Sequence, residues 1–153
     1  MTRLFDFQIR EHTVAAKPVF AMIEFADGIH ITDREWSDPQ MQRYMKAASL
    51  AIFIVNDYFS FEKESKQANG DYQMLCNCVT VSITNEGLTV REAYRKTAEL
   101  NDKYEREVIE LRDKLLLRDD LSPDAKKFVD RVEYVTGGNF RVHTSIKPYK
   151  SAA

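Results

Sequence analysis

The sequence predicts an all-α fold in a single domain, and three observations predict it. Apolar residues recur at three- and four-residue spacing along the 153-residue chain. Only five glycines occur, and four of them, Gly28, Gly70, Gly87 and Gly137, stand where an apolar period stops, the place helix ends favour glycine. Helix-start signals precede the periods at Ser37-Asp38-Pro39, at Thr89 with Glu92 three positions on, and at Ser122-Pro123-Asp124. One helical domain over 1–153 is long enough to bury a core.

Taken in order, a first helix is expected from about Leu4 to Ala15, and a second from Pro18 through VFAMIEFA to Gly28. GIHITDREWSD reads as a connector. No breaker interrupts the chain from Pro39 to Asn69, which predicts one helix of about thirty residues. Asp71 opens a further helix that Gly87 ends. Thr89 and Glu92 form a capping box for the next, whose Val90, Ala93, Leu100, Tyr104, Val108, Leu111 and Leu115 draw a narrow apolar stripe on a charged body. The last helix starts at Ser122 to Asp124 and is expected to end near Gly137. No repeat, low-complexity tract or interdomain linker is evident.

The formal charge of −2 comes from mixed signs, so no basic footprint suggests a nucleic-acid partner. The longest apolar run, Ala47 to Val55, falls far short of the ~20 residues of a membrane span, and no charged-then-apolar leader opens the chain. A cytoplasmic setting is expected. Cys76 and Cys78 fall in a segment read as helix, where their side chains diverge, so they are expected as reduced core thiols.

The stretch NDYFSFEKE, residues 56 to 64, places Asn56, Ser60 and Glu64 four apart, on one face of a helix. An exposed polar face is the ordinary reading of such a stripe. Two features weigh against it: the preceding AASLAIFIV is apolar all round, and Phe53, Tyr58, Phe59 and Phe61 crowd the same turns. A buried polar stripe must find partners. Three oxygen groups at one-turn spacing can converge on a hard cation such as Mg²⁺, which keeps several waters and shares its sites with phosphate oxygens.

NDYFSFEKE also resembles the second metal motif of class I terpene synthases, which has Asn or Asp first, Ser or Thr four on, and Glu eight on with a basic residue before it. Asn56, Ser60, Lys63 and Glu64 match. Arg10, 46 residues before Asn56, stands about where the family places its diphosphate-sensing arginine. REHTV, from Arg10 to Val14, is similar to the family's Arg-Arg-x-Thr-Gly segment, with Glu11 and Val14 departing from it. GNFRVHTSIKPY, from Gly138 to Tyr149, is similar to the closing Gly-Asn…Arg-Tyr segment, although Pro148 replaces the arginine before Tyr149 and leaves Arg141 or Lys147 as substitutes. The likeness covers nearly the whole chain and is best with fungal and bacterial sesquiterpene cyclases.

The resemblance implies a helical bundle like the C-terminal half of the class I terpenoid synthase fold. It implies Asn56, Ser60 and Glu64 as ligands of Mg²⁺, more than one ion being bound with the substrate, and Arg10, Lys63 and Tyr149 as diphosphate contacts. The implied reaction ionises a prenyl diphosphate, farnesyl diphosphate being the expected one, by loss of diphosphate and then cyclises the cation. Ser49, Ile52 and Phe53, one and two turns before Asn56, are expected to line the hydrocarbon pocket, where an aromatic face stabilises positive charge.

The family's first, aspartate-rich metal motif, which precedes the sensor arginine, has no counterpart. DDLSPD, Asp119 to Asp124, follows the second motif, and Pro123 makes it a helix start whose carboxylates suit the helix dipole. His143 is read as a surface or packing residue and is left out of the site. Half a helical barrel exposes an apolar wall, so a homodimer or a complementing chain is expected to cover it. The alternative is a non-catalytic helical interaction or regulatory protein derived from such an enzyme, favoured by the missing motif and by Pro148.

Overall fold

A computed structural model describes residues 16–145. In chain order the helices are α1 (Ala16–Asp27), α2 (Asp33–Trp36), α3 (Pro39–Gln67), α4 (Cys78–Glu86), α5 (Val90–Leu116) and α6 (Pro123–Ser145), with a 3₁₀ turn at Tyr72–Met74. Among the described residues there is no strand, and the fold is all-α as expected. The helix expected over Leu4 to Ala15 lies outside the described residues.

Asp38 sets the start of α3. Its carboxylate accepts from the backbone N–H groups of Gln40 (2.9 Å) and Met41 (3.1 Å), and Pro39 fills the first turn, where no N–H is needed. From there α3 runs for 29 residues. The expected capping box opens α5, with the Thr89 N–H donating to the Glu92 carboxylate at 2.9 Å and the Glu92 N–H returning to Thr89 Oγ1 at 3.3 Å.

Four local expectations are corrected. The segment from Asp71 to Gly87 is not one helix: after the 3₁₀ turn the chain extends at Leu75 (φ −99°, ψ 128°), and Asn77 caps a fresh start by accepting from the Val79 N–H at 2.9 Å. Cys76 therefore lies outside any helix and is exposed, while Cys78 is buried; both are thiols. The connector after Gly28 contains the single turn α2, closed by a Thr32–Glu35 capping box. Finally, α6 continues through Gly137 and Gly138 to Ser145. Each interior glycine costs a helix about 1 kcal/mol, but contacts beyond the pair offset this. Asn139 Nδ2 donates to the Ile52 carbonyl of α3 at 3.2 Å, and the buried His143 ring stacks on Phe59. Gly28 and Gly87 do close helices, with φ of 60° and 68°, in the left-handed region that only glycine enters without strain.

The core follows α3. Around its first turns, Met41 and Tyr44 pack with Phe20 of α1, Leu115 of α5 and Phe128 and Val129 of α6. Midway, Leu50, Phe53 and Ile54 meet Cys78, with Leu100 and Tyr104 of α5 alongside. Near the end, Phe61 meets Val79, Ala93 and Tyr94. Tyr44 is fully buried and its hydroxyl donates to the Val129 carbonyl at 2.7 Å. Burial pushes its ionisation far above the usual phenol range, so it stays a donor.

Polar contacts lock the end of the bundle where α3 begins. Arg118 joins Asp38 at 2.8 Å and Asp120 at 2.7 Å, tying the start of α3 to the α5–α6 turn. Glu35, only 6% exposed, accepts from the Ser122 N–H (2.7 Å), the Thr32 N–H (3.1 Å) and Thr32 Oγ1 (2.7 Å). Burial pushes its carboxyl up, yet the donors of Ser122 and Thr32 outweigh that and hold it at about 2.

Two outcomes follow. Removing the buried phenol with Tyr44→Phe should cost about 1 kcal/mol in urea unfolding, because Val129 keeps its own helical N–H partner; an unchanged midpoint would contradict the assigned bond. Because the folded Glu35 is depressed from 4.5 to about 2, its contribution is complete above pH 4.5 and lost as pH falls towards 2. Glu35→Gln should therefore be less stable at pH 7 and show a shallower loss across that acid window; parallel curves would assign the window to other carboxylates.

Candidate functional site

The second half of α3 brings Asn56, Ser60 and Glu64 onto one helical face; Asn56 and Glu64 are half-buried and Ser60 is buried. A buried hydroxyl inside a helix ordinarily donates to the carbonyl four residues back. Ser49 does so to Met45 at 2.8 Å, Thr97 to Ala93 at 2.9 Å and Thr136 to Val132 at 2.8 Å. Ser60 does not: its Oγ is shielded from solvent and has no hydrogen-bond partner among the described residues, a state it shares with Thr80 of α4. Glu64 is held from the side, its Oε2 accepting from Asn77 Nδ2 at 3.0 Å.

Two fully buried polar residues that sequence reasoning missed, Asp57 and Asn77, build the support beneath this face. Asp57 Oδ2 accepts from the Cys78 N–H at 2.8 Å, and Asn77 Nδ2 donates to the Asp57 carbonyl at 2.9 Å as well as to Glu64. A signal for Asp57 was present: it stands four after Phe53 and four before Phe61, a carboxylate in a buried row that must find a donor. Asn77, directly before CVTVSIT, carried the weaker signal of a capping residue in front of an apolar run.

Aromatic rings hold the flanks. Phe59 stacks on His143 with centroids 5.7 Å apart and planes 3° from parallel, and meets Phe140 edge-on at 6.1 Å. Tyr58 and Phe61 meet Tyr94 of α5 edge-on at 5.0 and 5.5 Å. Burial lowers the His143 pKa and favours the neutral imidazole.

Of the other residues singled out by sequence, Ser49 is buried with its hydroxyl on Met45, Phe53 is fully buried against Leu50, Ile54 and Cys78, and Ile52 is half-buried. Lys63 is exposed. Arg10 and Tyr149 lie outside the described residues. In DDLSPD, Asp120 pairs with Arg118 and Arg34, and Asp124 accepts from the His30 N–H at 2.9 Å, so both carboxylates serve the opposite end of the bundle.

Among the described residues no three His, Cys, Asp or Glu side chains converge on a point that could hold a metal. The stripe offers a different donor set: an amide, an unpaired hydroxyl and an oriented carboxylate on one face. All three are hard oxygen donors, and the orphaned Ser60 oxygen fits a cation that takes oxygen ligands. No described helix is long and apolar enough to cross a membrane.

Comparison with known proteins shows which family the chain resembles. Residues 7–107 match the family model described as terpene synthase family 2, C-terminal metal binding. The chain is 34% identical over 100 residues to the sesquiterpene cyclase hepA of Aspergillus oryzae, covering 65% of this chain and 26% of that protein. It is 27% identical over 138 residues to a 4-epi-cubebol synthase of Streptosporangium roseum, named as cyclising (2E,6E)-farnesyl diphosphate, covering 90% of this chain and 38% of that protein. The chain thus spans well under half the length of these relatives. Its fold matches the crystal structure of the SVS_A2 protein from ancestral sequence reconstruction, with a TM-score of 0.78 at 24% identity, over 97% of this chain and 42% of that one.

If Asp57 supports the site as described, Asp57→Ala leaves the buried Cys78 N–H without its acceptor. It should cost about 1–3 kcal/mol in equilibrium unfolding, and hydrogen exchange at the start of α4 should rise more than in α6. Equal protection in parent and variant would mean that the bond does not hold α4.

Proposed function

We propose that this chain, which belongs to the terpene synthase family, supplies one metal-and-diphosphate face of a Mg²⁺-dependent prenyl diphosphate cyclase. The observation that carries the reading is the buried Ser60 hydroxyl, which has no partner among the described residues and lies on the same face as Asn56 and Glu64. An uncompensated buried hydroxyl is costly, and a cation taking oxygen ligands supplies the missing partner.

In this reading the Asn56 amide oxygen, Ser60 Oγ and the Glu64 carboxylate hold Mg²⁺. When bound, the ion, with further ions brought by the substrate, neutralises the charge that builds on the departing diphosphate. Arg10 and Lys63 take phosphate oxygens, Arg10 through its two-pronged guanidinium and Lys63 as a point charge, and Tyr149 adds a hydroxyl donor. Loss of diphosphate breaks the allylic C–O bond with the electron pair leaving on oxygen. A distal double bond of the same chain then attacks the cation, and proton loss or water capture ends the sequence. Ser49, Ile52 and Phe53 belong to the wall that keeps water from the cation.

Farnesyl diphosphate is the proposed substrate, supported by relatives named as a sesquiterpene cyclase and a farnesyl diphosphate-cyclising synthase. Since the chain spans 26% and 38% of those relatives, the facing half of the pocket is proposed to come from elements beyond these residues: the same polypeptide, a complementing chain or a second copy.

Titration of inorganic diphosphate into the protein by calorimetry, with and without Mg²⁺, tests the site. Asn56→Ala and Glu64→Gln should abolish the Mg²⁺-dependent binding and leave the helical circular dichroism unchanged. Ser60→Ala separates function from packing: it should melt no lower than the parent, since a hydroxyl without a partner is removed, yet weaken Mg²⁺-dependent binding. Parent-like binding by Ser60→Ala and Glu64→Gln would sink the assignment.

A further inference from the structure

The geometry points to Asn77 as a positioning residue that presets the Glu64 carboxylate of the metal-binding face. The inference rests on the Mg²⁺ reading above and goes beyond it by assigning a role to a residue outside the stripe.

Glu64 stands on the last turn of α3, which ends at Gln67, and its side chain has three torsions that the helix alone does not fix. Asn77 restricts them. It is fully buried, and its amide orientation is determined by its partners. Oδ1 must face the Val79 N–H (2.9 Å), which puts Nδ2 against two acceptors, the Asp57 carbonyl (2.9 Å) and Glu64 Oε2 (3.0 Å). With two backbone contacts besides Glu64, to Val79 and Asp57, the Asn77 amide is held independently, and the Glu64 carboxylate conforms to it. Engaging Oε2 leaves Oε1 to face a cation. Partners of this kind behind a metal ligand commonly tune metal affinity by roughly 10–100-fold when removed.

The same contact makes the metal face depend on α4. Asn77 is the N-cap of α4, and Asp57, next to Asn56, receives the first N–H of that helix at 2.8 Å. The amide and carboxylate ends of the stripe are therefore both tied, through Asp57 and Asn77, to one helix start. A purely structural role would make Asn77 a cap and nothing more.

Asn77→Ser tests the difference. Serine keeps the capping acceptor for the Val79 N–H but is too short and carries no amide to reach Glu64. Calorimetric titration of inorganic diphosphate at a series of Mg²⁺ concentrations should show the half-saturating Mg²⁺ raised by roughly 10–100-fold, with Mg²⁺-free diphosphate binding and far-UV circular dichroism unchanged. Asn77→Thr, which keeps a capping oxygen and fills more of the space than serine but carries no amide, should show the same selective loss and covers the case in which serine destabilises α4. Adding Asn77→Ser to Glu64→Gln should change Mg²⁺ dependence no further than Glu64→Gln alone. Loss of Mg²⁺ dependence in Glu64→Gln with a parent-like requirement in both Asn77 variants would overturn this inference and leave the metal site standing. Parent-like Mg²⁺ dependence in Glu64→Gln would overturn both.

Discussion

A helix buried on most of its surface cannot carry polar groups without giving each a partner, and α3 is such a helix. Between Met41 and Phe61 most of its residues are buried, and they include a phenol, two hydroxyls and a carboxylate. An unmet group in that setting forfeits its hydration without compensation. The neighbouring helices are accordingly joined to α3 by hydrogen bonds as well as by apolar contact. Tyr44 reaches α6 through the Val129 carbonyl, Asp57 reaches the first N–H of α4, and the Ile52 carbonyl receives Asn139. Among the described residues Ser60 is the exception along this helix, and it is the hydroxyl for which a metal ion is proposed as the partner.

The two ends of α3 are built for different work. At the start, Glu35 and the Arg118–Asp38–Asp120 cluster close every donor and acceptor they involve within the protein. That end is self-contained, and its carboxylates are held ionised by the groups they already bind. At the other end the support is equally firm but one layer deeper. Asp57 and Asn77 satisfy the backbone, and Asn56, Ser60 and Glu64 share the helical face beside them. A rigid base under an incomplete surface is the arrangement that preorganised ligand sites require.

The helix pattern and the stripe were legible in the sequence because both rest on local rules. Asp38-Pro39, the Thr89–Glu92 box and the periodic apolar rows specify helices without reference to anything distant. The four-residue spacing of Asn56, Ser60 and Glu64 needs only the helical repeat to put them on one face. The failures came from contacts between helices. Gly137 and Gly138 signal a helix end by propensity, but α6 continues because Asn139 and His143 find partners on α3. The break at Leu75 could not be read because no proline or glycine marks it; it exists because Asn77 has somewhere better to put its side chain.

By itself, then, the sequence determined the all-α class, the start and length of α3, and the identity of the oxygen donors on its face, since backbone geometry and capping chemistry act over a few residues. Tertiary structure alone decided which of those donors are satisfied. The hydroxyls of Ser49 and Ser60 occupy equivalent-looking positions in one helix, yet one bonds its own backbone and the other has no partner among the described residues. It also decided that Asp57 and Asn77, twenty residues apart in the chain, meet beneath the stripe. Burial and partnership are set by what the other helices bring alongside, and a pattern along one helix carries no information about that.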